Sequence, residues 1–133
     1  MEIKITTFFH DGEHADFSAS RMEMGNDAAR ITWANAKREA ETTVLLPNED
    51  ALDAFRAWIK EFGAWDEKEI ASWSPVECNA LLIQFINGNI RELPTDDDGE
   101  IDWDKAERLA NEGTIAGNIY RGDDGEIYFY MGN

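Results

Sequence analysis

The chain has 133 residues, 43% hydrophobic and 11% aromatic, enough for one domain that buries roughly two thirds of its unfolded surface on folding. Its 28 Asp and Glu against 12 Lys and Arg give a formal net charge of -16, which argues against direct binding to DNA, RNA or anionic lipid, since phosphate contacts need clustered cations. The same field favours basic protein partners.

The opening Met1-Glu2-Ile3-Lys4-Ile5 alternates polar and apolar residues. It has no cationic segment followed by a long apolar run, so no signal peptide is expected, and nothing approaches the ~18 apolar residues of a transmembrane helix. The expected location is the cytoplasm. Residues 3–9 read as a strand, with Ile3, Ile5, Thr7 and Phe9 on one face and Lys4, Thr6 and Phe8 on the other, broken by Asp11-Gly12. A second strand is expected around residues 16–22, as an irregular crossing or a hairpin partner of the first.

Asn26-Asp27 offers a cap for a helix through Ala40 carrying Ile31, Trp33, Ala34 and Ala36. The short β-branched, apolar stretch 42–46 is closed by Pro47. Asn48 then caps a second helix, whose Leu52, Phe55, Ile59 and Phe62 form an apolar stripe ending at Gly63. Asp66 with Glu69 caps a short helical turn bearing Ile70 and Trp73. In Ser74-Pro75-Val76-Glu77, Ser occupies the cap, Pro the first helical position and Glu the third. This starts a central buried helix over residues 76–90, interrupted by Asn79, Gln84, Asn87 and Asn89. After Pro94 comes a charged turn, then a helix over residues 102–111 stopped at Gly113. Residues 118–130 form a hairpin around Gly122-Asp123-Asp124-Gly125. The expected fold is α+β, a single domain over residues 1–133. Four to five helices would pack on a small antiparallel sheet made from the N-terminal strand and the C-terminal hairpin.

Two segments, residues 64–85 (beginning Ala64-Trp65-Asp66-Glu67) and residues 117–130 (ending Ile127-Tyr128-Phe129-Tyr130), resemble small proteins encoded by transposable, Mu-like bacteriophages and prophages of proteobacteria. The resemblance covers about the second half of the chain. It implies a phage origin and a bacterial host cytoplasm, and brings no active site with it.

Several local patterns suggest chemistry and are better explained otherwise. His10-Asp11-Gly12-Glu13-His14 holds metal-ligand types. His-x-x-x-His needs a helix to bring both rings to one face, and Gly12 after a strand points instead to a solvated turn. Asp96-x-Asp98-Gly99-x-Ile101 echoes the middle of a calcium loop, but Pro94 and Lys105 stand where the first and last ligands belong. Arg121-Gly122-Asp123 reads as the mouth of a hairpin. Cys78, the only cysteine, excludes an intramolecular disulfide and a paired-thiolate zinc site; inside the buried helix it reads as a core thiol. Core packing is expected for most of Trp33, Trp58, Trp65, Trp73 and Trp103, with one or two left at the surface as interface anchors. No nucleotide-binding or hydrolase motif is present.

The expectation is therefore a non-enzymatic protein with no catalytic residues, no cofactor and no metal. Residues 94–133 carry 11 carboxylates against 3 cations, a surplus of 8 and hence half of the net charge. Asp96, Asp97, Asp98, Glu100, Asp102 and Asp104, with Asp123, Asp124 and Glu126, are the candidate partner-binding residues. Combined with the phage resemblance, they suggest a DNA mimic inhibiting a restriction or CRISPR complex by occupying its cationic channel. The alternative is a phage structural or assembly helper that binds a protein through an apolar face.

Overall fold

The computed structural model describes residues 2–8, 14–20 and 28–131. Strands β1 (Glu2–Phe8) and β2 (His14–Ser20) precede helices α1 (Ala28–Ala40), α2 (Glu49–Lys60), α3 (Glu67–Ser72), α4 (Pro75–Glu92) and α5 (Trp103–Asn111). The chain ends in β3 (Ile119–Arg121) and β4 (Ile127–Tyr130). The fold is α+β, with five helices and a four-stranded sheet among the described residues.

The sheet order is β2-β1-β4-β3. β1 runs antiparallel to β2, with Ile5 opposite Phe17, and β3 antiparallel to β4, with Tyr120 opposite Tyr128. Between these hairpins β1 and β4 pair in parallel, Thr6 opposite Tyr128, so the sheet is mixed where an antiparallel one is expected from the sequence. The reason is which strand of the C-terminal hairpin reaches the middle. β4 carries the fully buried Phe129 and leads into the buried Met131, whereas β3 buries Ile119 alone. Seating the more apolar strand against β1 fixes the parallel direction. β2 is the hairpin partner of β1, two residues earlier than the alternation suggests. His10 to Glu13, Met22 and the expected cap Asn26-Asp27 lie outside the described residues.

The helix starts follow from local chemistry. Asn48, Asp66, Ser74 and Asp102 each accept a backbone N–H three residues on, from Ala51, Glu69, Glu77 and Lys105, and so satisfy donors that a helix start leaves open. The α2 stripe buries Ala51, Leu52, Phe55 and Ile59, and α2 packs on α3 and α4. Phe62, expected on that stripe, lies just past the helix end and is 53% exposed. α1 packs on α4 through Thr32, Ala36 and Ala40, leaving Ile31 and Trp33 outward. Trp33 is therefore no core residue; small side chains at fourfold spacing let the two helices approach closely. Trp58, Trp65, Trp73 and Trp103 are partly buried against the core.

α4 is the hub. Cys78, Leu82, Ile83, Ile86 and Ile90 are essentially inaccessible and meet Phe55, Phe129 and Ile5 in one cluster. Full burial of each large side chain contributes about 1.5–3 kcal/mol. The buried amide of α4, Asn79, fastens a distant segment to the helix. Its Oδ1 accepts the N–H groups of Leu45 (2.8 Å) and Leu46 (2.9 Å), while Nδ2 donates to the Pro75 carbonyl (2.8 Å). The 42–46 stretch is thus an irregular segment held against α4, and both leucines become core. No helix among the described residues is long and apolar enough to cross a membrane.

Candidate functional site

The nine candidate carboxylates fall on three adjoining features: the turn between Thr95 and Ile101, which bridge to each other, the start of α5, and the β3–β4 turn. They divide into two kinds. Asp96 Oδ1 accepts the N–H groups of Asp98 (2.9 Å) and Glu100 (3.0 Å), which closes its own turn. Asp102 caps α5. Asp124 accepts the Glu126 N–H through Oδ1 (3.0 Å) and the Tyr128 hydroxyl through Oδ2. These three organise backbone. Asp97, Asp98, Glu100, Asp104, Asp123 and Glu126 are exposed, and their carboxylates take no part in side-chain hydrogen bonds or ion pairs among the described residues. The two ion pairs there, Arg56 with Asp53 and Lys60 with Glu67, both involve α2.

The fold brings one residue of each acidic run to a shared cleft. A cleft of about 370 Å³ lies between α5 and β3, lined by Trp103, Asp104 and Glu107 on the helix side and Tyr120, Arg121 and Asp123 on the strand side. Asp104 comes from the first run and Asp123 from the second. Gly117, at φ +72°, lets the chain enter β3 close to α5: a β-carbon there would lie 3.0 Å from that of Ala110. In the neighbouring turn the hydroxyl of Tyr128 holds the Asp124 carboxyl below its ordinary pKa, helped by the Glu126 N–H. In return Asp124 pushes the Tyr128 phenol up from 10.0 to about 12. The reciprocal shifts describe one hydrogen bond that favours the carboxylate and the neutral phenol.

A second concavity has the opposite chemistry. Trp58 and Phe62 from the end of α2, Phe85 and Gly88 from α4, and Ala116 and Asn118 from the segment before β3 border an apolar groove of about 390 Å³. Trp58 meets Phe62 and Phe85 edge-on, with ring centroids 5.0 and 5.5 Å apart, and Phe62 stacks on Phe85 at 5.6 Å. Gly88 leaves the groove open, since a β-carbon there would touch nothing within 4 Å. Ala116 and Asn118 line the groove, while Gly117 and Ile119 line the acidic cleft. Residues 116–119 thus line both. Sequence reading places Phe62 on the core stripe and misses the groove. Its signal was a stripe running past the helix end beside a glycine on the facing helix.

The remaining patterns resolve simply. Asp96 of the calcium-like loop faces its own backbone, and among the described residues no group of three or more His, Cys, Asp or Glu is arranged to hold a metal. Arg121-Gly122-Asp123 is the hairpin mouth, where a β-carbon on Gly122 would lie 2.5 Å from the Tyr128 ring. Cys78 is buried; burial pushes its thiol pKa up, partly offset by the Arg56 guanidinium, so at neutral pH it is no thiolate nucleophile.

Comparison with protein-family models, with curated proteins and with solved structures gives no match to this chain. The phage resemblance therefore rests on the two sequence segments alone, and a phage origin is a proposal.

Proposed function

We propose that this is a non-enzymatic, phage-encoded binding protein that inhibits a bacterial defence complex, CRISPR or restriction, by DNA mimicry in the host cytoplasm. The observation that carries this reading is that Asp104 and Asp123, one from each of two acidic runs distant in sequence, line the same α5–β3 cleft, while none of the candidate carboxylates is ion-paired among the described residues. A cationic channel built for phosphates meets carboxylates held on short turns and a helix start. Lys and Arg of the channel exchange their DNA for the protein, and the counterions that DNA binding releases are released again. Asp97, Asp98, Glu100, Asp104, Asp123 and Glu126 would contact the partner. Asp96, Asp102 and Asp124 hold those groups in place.

The test is capture from a host lysate at low salt with mass-spectrometric identification, followed by binding to the purified partner. Affinity should fall steeply between about 50 and 200 mM salt, and DNA should compete. Changing Asp97, Asp98, Glu100 and Asp104 together to Asn or Gln should abolish capture while leaving the turn-forming carboxylates intact. Unchanged capture by that variant, or recovery of phage structural proteins alone, would overturn the reading.

The aromatic groove favours a second reading, a phage assembly helper that docks a protein partner through an apolar face. Such docking would change little with salt and would survive neutralisation of the acidic rim.

A further inference from the structure

The groove between α2 and α4 is built like a receptor for a flat cation with an apolar stem. Its walls are the rings of Trp58, Phe62 and Phe85, and aromatic faces attract cations through their quadrupoles. Its polar margin is Gln84, Asn89, Glu92 and Asn118. Glu92 is the one ionisable side chain on the lining among the described residues. Asn89 donates through Nδ2 to the Phe85 carbonyl (2.8 Å), and Asn118 through Nδ2 to the Tyr130 carbonyl (3.1 Å). Each amide therefore uses a donor on the backbone and keeps its Oδ1 open among the described residues. Carboxylate and amide oxygens around an aromatic slot, in a chain of net charge -16, match a group that is planar, positive and rich in N–H donors. The guanidinium of arginine is that group: it stacks on aromatic faces while its methylene stem lies along apolar surface.

We infer that the groove receives an arginine side chain presented by the basic partner, with the guanidinium against the rings of Phe62 and Trp58 and its N–H groups directed to Glu92 and the amide oxygens. This rests on the proposed basic partner for its source, though not for its chemistry. The groove adds what the acidic rim lacks. Carboxylates on exposed turns recognise positive charge at long range, whereas an aromatic surface beside acceptor oxygens distinguishes arginine from lysine.

The experiment uses the intact protein and two small probes at constant ionic strength, n-butylguanidinium and its neutral planar isostere n-butylurea, followed by NMR at the Trp58 indole N–H and the Gly88 amide. Butylguanidinium should bind roughly three- to tenfold more tightly than butylurea, the range expected for a cation against aromatic faces. n-Butylammonium should be weaker than butylguanidinium. Glu92→Gln, which keeps an acceptor toward the Ala116 N–H, should narrow the preference. Phe62→Ala and Gly88→Leu should remove saturable binding of every probe, the first by taking away a wall and the second by filling the slot. Equal affinity for butylurea and butylguanidinium would assign the groove to an uncharged apolar side chain and overturn the inference. So would an absence of saturation at the groove resonances, or a preference untouched by Glu92→Gln. Loss of capture on neutralising the rim tests the mimicry reading alone, because that variant leaves every groove residue in place.

Discussion

In the helical half of the molecule Asn79 accepts the N–H groups of Leu45 and Leu46 out of reach of water. In the acidic quarter Asp96 accepts those of Asp98 and Glu100 at the surface. The device is the same, a short side-chain oxygen organising a turn of backbone, and the consequence of losing it is opposite. Remove the buried acceptor and two donors are left without any partner; remove the exposed one and water takes its place. The contrast teaches how to count charge on this protein. A carboxylate that forms a turn is a framework group first, and six of the nine candidates have no such bonded role among the described residues.

The largest expected effect tests the buried side of that contrast. Asn79→Leu should lower the free energy of unfolding by about 2–6 kcal/mol, since each of the two orphaned buried donors costs about 1–3 kcal/mol. Urea denaturation followed by circular dichroism measures it. A loss below about 1 kcal/mol would mean that water reaches Leu45 and Leu46, and the contrast would dissolve. Next comes Asp102→Ala, which removes the α5 cap at the surface and should cost about 1 kcal/mol. Asp97→Ala, on the same acidic stretch without a bonded partner, should be neutral within about 0.5 kcal/mol. If the two variants behaved alike, the division into framework and free carboxylates would fail.

The smallest effect is a titration. Asp124 favours the neutral phenol of Tyr128, whose folded pKa is raised from 10.0 to about 12. Its contribution to stability is complete below pH 10 and is lost as pH rises through about 12. For Asp124 the folded pKa is depressed below 3.8. That contribution is present above pH 3.8 and is lost as the pH falls through the lower folded value. Ultraviolet absorbance should show Tyr128 ionising near its raised value, and Asp124→Asn should lower it.

What could be read in the sequence was what neighbours in the chain decide. Asn48, Asp66 and Ser74 are caps because each lies three residues before the N–H it accepts, and the Asp123-Asp124 hairpin turn is set by its flanking glycines; Asp102, expected as the first residue of the last helix, is its cap instead. What could not be read depends on distant partners. The parallel pairing of β1 with β4 reflects a contest between β3 and β4 for the sheet centre. Trp33 is outward because α1 meets α4 through Thr32, Ala36 and Ala40. The acidic runs were visible as residues, but their meeting at Asp104 and Asp123 needed α5 and β3 to pack. The aromatic groove needed three separate segments, and Phe62 looked like core until the helix beneath it ended.

The parallel pairing of Thr6 with Tyr128 also sets a timetable for synthesis. A ribosome releases β1 and β2 before the five helices and β4, and the hairpin they form has no inner neighbour until β4 has emerged. Contacts of such long sequence separation form slowly, so the nascent protein holds an open strand edge while the helices and β3 are being made. A nonsense codon shortly before β4 would leave that edge permanently bare, and the truncated product should aggregate or be degraded rather than persist as a weaker binder.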